Sequence, residues 1–283
     1  MRTPTNRFPG QGKPPRDASD RQFDIFKAKE RPAEWDHPGS QPRQVVACDE
    51  LDDSTLVAAL TRAGIRDCVA LAAEAGQRRL ATAIPTLDTV CRRHAGFGAE
   101  RIVPEQAAAV DALAMIGGPD ASLTLARLIV QRVVQGPCLQ RSVAAAARLG
   151  AKLPSGRVVE LLHHDDPKIR ADACRCARPW PEVLPALHVL LDDGHADVRK
   201  AAACALGRMG RSEVRPLLVR YLRETPTAEL VDAVAAVADE ECVVLLGRIA
   251  RNSAELREIA LDALDAAEHP RAAKIAAALC KNR

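Results

Sequence analysis

Residues 166–178 read "DPKIRADACRCAR", and residues 196–210 read "ADVRKAAACALGRMG". Ile169-Arg170 and Val198-Arg199 stand 29 positions apart, and each pair opens a helix of small residues. A recurrence of roughly 30 residues marks a stacked helical-repeat chain, in which each unit touches only its neighbours. In the second copy Val198, Ala201, Ala202, Ala205, Leu206 and Met209 fall at i, i+3, i+4, i+7, i+8 and i+11, one continuous apolar stripe. Gly207 and Gly210 sit at its end, where a left-handed turn is wanted. Val214, Leu217, Leu218, Tyr221 and Leu222 then repeat the spacing. Two amphipathic helices with a short joint form an antiparallel hairpin.

Working outward, residues 167–193 start with Asp166 as N-cap and Pro167 at the first helical position. Val183, Leu187, Leu190 and Leu191 line the second helix of that unit. Residues 226–251 start with the same kind of signal, Thr225-Pro226. Residues 253–281 start with Asn252 and carry Glu255 three places on, a capping-box spacing. Upstream, 138–165, 104–135 and 65–95 each hold two apolar-periodic segments, and 53–63 is a lone helix that caps the start. The expectation is an all-α right-handed α-solenoid of about seven hairpins over residues 49–283. Its last residues, Lys281, Asn282 and Arg283, suit a polar terminal repeat.

Composition agrees with closely packed helix pairs. Hydrophobic residues make up 47 % and aromatics only 2 %, so the core must be built from Ala, Leu, Val and Ile. Scarce aromatics also leave little for base stacking. Residues 1–48 hold nine Lys/Arg against six Asp/Glu, and the remaining chain holds 31 of each. A neutral body argues against a general phosphate-binding groove, so nucleic acid is disfavoured as a partner. Nine scattered cysteines read as reduced thiols used as small core residues. No apolar run suits a secretory signal or a membrane span.

Residues 1–48 carry seven prolines, which break any helical period, and read as a disordered arm. Yet Phe8, Phe23, Phe26 and Trp35 fall there, leaving only Phe97, Trp180 and Tyr221 for the other residues. If helical, Phe23 and Phe26 share a face; if extended, Phe23 and Ile25 do. Such a segment fills a groove, on a partner or on its own solenoid; both remain open.

"DVRKAAACALGRMG" followed by "VRPLLVRYL" resembles the bacterial HEAT repeat of the phycobilisome-lyase type. That repeat has an Asp-x-x-Val-Arg start, an Ala-rich first helix ending in Leu-Gly, and a Pro-Leu-Leu second helix. The resemblance spans about 65–281 and departs from the pattern at Leu230, where an Arg is due. It implies that Asp166, Arg170, Asp197, Arg199 and Arg257 join neighbouring units structurally. It also implies a scaffold, adaptor or docking platform, with enzymes among the relatives. The relatives that hydroxylate a lysine-derived side chain use His-Glu dipeptides to hold iron, and this chain has none.

His163, His164, Asp165, Asp166, Cys174, Cys176, His188 and His195 are metal-capable types within a short span. Their spacing matches no zinc unit, and Cys174 and Cys176 would point about 200° apart on a helix. They are read as structural or solvated, so no metal or cofactor is expected. No phosphate loop, nucleophile elbow or His-Glu-x-x-His motif occurs. The inner face is expected on the second helices, with Arg157, His188, Arg215, Arg220 and Arg248 forming a groove for an acidic protein segment. The reading is a non-enzymatic, protein-binding scaffold of the bacterial cytoplasm. A bilin-lyase-like enzyme subunit and a nucleic-acid-binding solenoid are the alternatives.

Overall fold

A computed structural model describes residues 48–280. The expectations for the arm, Phe23, Ile25, Phe26 and Trp35 among them, lie outside the described residues. Those described fall in one compact unit, Ala47–Arg283. They form fifteen α-helices joined by short turns, with no strand among them.

The helix α1 (Asp53–Arg62) stands alone. Seven hairpins follow: α2 (Ile65–Gln77) with α3 (Ile84–Arg93), α4 (Pro104–Ile116) with α5 (Gly118–Val130), α6 (Gly136–Arg148) with α7 (Ser155–Leu162), α8 (Pro167–Cys176) with α9 (Val183–Leu190), α10 (Ala196–Arg208) with α11 (Arg215–Glu224), α12 (Ala228–Ala235) with α13 (Glu240–Asn252), and α14 (Arg257–Ala266) with α15 (Pro270–Cys280). This is an all-α helical-repeat solenoid.

Local chemistry sets many of the starts. Asp52 accepts hydrogen bonds from the Ser54 and Thr55 backbone N–H groups, both at 3.0 Å, and starts α1. Asp166 accepts from Lys168 N at 2.8 Å, and Pro167 opens α8. Two starts lie elsewhere than expected. Thr227, not Thr225, caps α12, accepting from Leu230 N at 3.4 Å. Pro226 holds Thr225 in an extended conformation and so delays the helix by two residues. Asn252 ends α13 and starts nothing; Ser253 supplies the oxygen ahead of α14, accepting from Leu256 N at 3.3 Å.

The first helices pack in one unbroken row: α2 on α4, α4 on α6, α6 on α8, α8 on α10, α10 on α12, and α12 on α14. The second helices pack more loosely. There α1 meets α3, α3 meets α5, α7 meets α9, and α13 meets α15, while α5/α7, α9/α11 and α11/α13 approach at most marginally. Small residues cause the difference. A Cβ added at Gly76 would lie 2.9 Å from Ala112 Cα, and one at Gly207 would lie 3.0 Å from Ala233 O. Gly207 is therefore a helix-packing residue inside α10, and only Gly210, at φ +74°, makes the left-handed turn. The first helices thus form the closer row, whereas the groove had been expected on the second helices. One continuous core runs from Leu56 to Leu279. In α10 every residue from Ala201 to Gly207 is buried, because a mid-row helix is covered on three sides.

Candidate protein-binding surface

The turns between repeats are held by side chains that reach across them. Arg170 donates from Nε and Nη2 to the two carboxylate oxygens of Asp193, at 2.9 and 3.1 Å, and from Nη1 to His164 O and Asp165 O, both at 2.8 Å. Arg199 donates to Asp193 O at 2.7 Å. Arg257 donates to Leu279 O at 3.2 Å. The turn carboxylate in this set is Asp193, which also accepts from His195 N at 2.8 Å. Asp197, which the resemblance had pointed to, lies in the first turn of α10, one turn away from those bonds. Burial works against the Asp193 carboxylate, but the Arg170 guanidinium and the His195 N–H hold it below the ordinary 3.8.

Gln106 does the same work in an earlier repeat. Its amide is buried and donates to Cys91 O at 3.0 Å and Val133 O at 3.2 Å. Sequence reading missed it because an amide replaces the guanidinium. Setting "ALAMIGG" of α4 against "ALGRMGR" of α10 puts Gln106 opposite Arg199, and that register was the available signal. Arg78 was also missed; it donates to Leu51 O at 2.6 Å and Cys48 O at 3.0 Å and ties α2 to the chain ahead of α1.

The exposed side of the first-helix row carries a chain of charges. Arg141 of α6 pairs with Asp111 of α4 at 2.8 Å. Arg175 of α8 pairs with Asp172 at 2.8 Å and with Glu229 of α12 at 3.1 Å. Arg208 of α10 reaches the same Glu229 at 3.2 Å. Burial raises the Asp172 carboxyl, against the pull of Arg175. Between these groups lie alanine-floored clefts. One, of about 230 Å³, is lined by Ala146, Ala177, Ala205, Arg175, Arg178 and Arg208, with other small residues. A second, of about 390 Å³, lies between α12 and α14 and is lined by Asp232 and Asp262 among alanines.

The five groove residues expected on the second helices are placed as follows. Arg157 is largely buried, with its side chain 11 % exposed and Nη1 on Glu160 at 2.5 Å. Arg215 is a structural tie: it donates to Val237 O at 2.7 Å and pairs with Asp239 at 3.3 Å. His188 faces Glu213 at 3.7 Å. Arg220 lies over the Tyr221 ring at 5.1 Å, and beside Glu224. Arg248 is exposed at a separate cleft of about 320 Å³ with Arg223, Glu240 and Glu241. Each of the five thus has its own local surroundings.

The histidines and cysteines of the central repeats are likewise dispersed. Cys174 and Cys176 are buried, and burial pushes both thiols up to about 12. His164 Nδ1 accepts from Asp166 N at 3.0 Å, and His195 leans on Asp193. Among the described residues no three His, Cys, Asp or Glu side chains come together in a metal-binding group. No described helix is long and apolar enough to cross a membrane.

Residues 156–239 match the family model of HEAT repeats. That stretch contains α7 to α12 and the Arg170–Asp193 turn, so the chain carries HEAT repeats. Among solved structures, human deoxyhypusine hydroxylase in complex with glycerol is similar at 23 % identity, over 76 % of this chain and 84 % of that one, with a TM-score of 0.34. No curated protein matches the chain.

Proposed function

We propose that this chain is a non-enzymatic protein-binding scaffold or adaptor, and that it engages its partner through the face of the first-helix row. The observation that carries this reading is the charge chain from Asp111 to Arg208 on an alanine floor. Side chains already held in place lose less freedom when a partner docks, which favours binding. Alanine floors also let a partner's side chains approach the helix backbones. Cysteines used as small buried core residues suit a reducing compartment, and the Ala- and Arg-rich usage suits a bacterial cytoplasm.

The test is affinity purification of the full tagged chain from its native host. A stoichiometric protein partner is expected, and it is lost when Arg141→Glu and Arg175→Glu are combined in a chain that still melts cooperatively. Retention of the partner by that variant, or recovery of nucleic acid in its place, overturns the proposal.

A further inference from the structure

We infer that the cleft between the C-terminal ends of α6, α8 and α10 is the anchor point for an acidic segment of a partner protein; this deepens the scaffold reading and rests on it. Three guanidinium groups, of Arg175, Arg178 and Arg208, lie around a floor of small residues, and no carboxylate is among the lining residues. Two of the three are fixed from outside the cleft. Arg175 is held by Asp172 and Glu229, and Arg208 by Glu229. Arg178 differs. Its side chain makes no hydrogen bond or ion pair among the described residues, and it lines the cleft. Its backbone is pinned by Trp180 N donating to Arg178 O at 2.7 Å and by Pro179. A guanidinium with no anion of its own can take a carboxylate in a two-point fork, so Arg178 is the group of the three left to bind a partner.

Size and charge pattern decide the class of ligand. At about 230 Å³ the cleft is open and smaller than the roughly 300–1,000 Å³ typical of cofactor and small-molecule pockets. It has room for one or two side chains. A polyanion tracking the row would leave this cleft and run into Asp232 and Asp262 in the next. Phosphate binding gains from many contacts along a path, and this path changes sign. No aromatic lines the cleft to stack a base. An acidic side chain on a peptide places its charge at one point and fits.

Fluorescence anisotropy on the full chain tests this with labelled octapeptides of alternating Ala and Glu, the Ala/Gln and Ala/Lys counterparts, and a single-stranded DNA octamer. The Glu peptide is expected to bind about tenfold tighter than the Gln peptide, with Arg178→Glu removing that preference and the distant Arg248→Glu leaving it. Should Arg178→Glu fail to fold, Arg178→Gln makes the same comparison. Equal binding of the Glu and Gln peptides, equal effects of the two reversals, or tighter binding of the DNA overturns the inference. The scaffold reading is judged separately. If it stands and this cleft is not the anchor, Arg178→Glu still retains the host partner; if it fails, the unaltered chain recovers none.

Discussion

Arg170 and Asp193, 23 residues apart, meet in a two-point ion pair whose side chains are only 14 % and 8 % exposed. The pair spans one whole repeat, from the start of α8 to the turn before α10. Each partner has further bonds: Arg170 to two carbonyls of the preceding turn, and Asp193 to the N–H of His195. Such a pair joins three consecutive repeats mechanically and holds the register of the rows on which the clefts are built.

Removing one partner of this pair leaves the other buried and uncompensated, which costs about 3 kcal/mol. Arg170→Ala is therefore expected to lower stability by that amount in urea unfolding. Arg170→Lys restores little of it, because an ammonium cannot fork across both oxygens. A loss within about 0.5 kcal/mol, the range of an ordinary surface change, would show that the pair is incidental.

Gly207→Ala pits two effects against each other. Alanine raises helix propensity by about 1 kcal/mol over glycine in a helix interior. The new Cβ, however, would lie 2.6 Å from Leu218 Cδ1 and 3.0 Å from Ala233 O. The leucine end can move, but the α12 backbone cannot without shifting the row. A net destabilisation of about 1–2 kcal/mol is expected. Gly194→Ala, with nothing within 4 Å of its added Cβ, serves as control and stays near neutral. Thermal melts of both variants check the contrast, and a stabilised Gly207→Ala would refute the close approach.

Acid stability has a definite sign. The Asp193 and Asp239 carboxyls are held below their ordinary 3.8, the first by Arg170 and His195 against its burial, the second chiefly by the Cys242 N–H. Their stabilisation is present above the unfolded value and is lost as pH falls through the depressed folded values. Asp172 and Asp232 are raised by burial and act in the opposite sense, so their protonation in the folded state relieves part of that loss. Asp193→Asn is expected to be less stable at neutral pH and to have a flatter acid limb. Urea midpoints measured from pH 7 down to pH 3 read both effects; parallel curves would rule out Asp193 as a contributor.

Thiol chemistry should follow burial. Cys174, Cys176 and Cys204 are pushed up to about 12 and Cys242 to about 11, all mainly by burial. Iodoacetamide at pH 8 should leave these four unmodified in the native chain and alkylate them in denaturant, while half-exposed Cys48 reacts ahead of them. Peptide mass spectrometry reads the order, and rapid native labelling of Cys204 would mean that α10 is not packed as described.

Gln106 shows why part of the repeat framework escaped sequence reading. Its role is that of Arg199, a donor to backbone carbonyls, but side-chain identity changed while geometry stayed. Asp166-Pro167 was legible because a cap acts on the residues next to it. Asn252 misled for the complementary reason. Its local spacing suits a cap, yet α13 runs on through it because Ile249 and Ala250 are drawn into the core.

The candidate surface was less legible than the fold. Arg157, His188, Arg215, Arg220 and Arg248 were expected together on the second helices, but Arg157 and Arg215 are taken up by contacts within the repeats. Arg175, Arg178 and Arg208 come from two repeats and meet because the small residues of the first row let α6, α8 and α10 close up.

Periodicity, capping residues and alanine content are properties of neighbours along the chain, and they suffice to specify helices, their pairing into hairpins and the stacking of those hairpins. Which row closes more tightly depends on how far backbones approach across repeats, at Gly76 against Ala112 and Gly207 against Ala233. That distance is settled only when the helices pack, and with it which row is close and which arginines share a cleft.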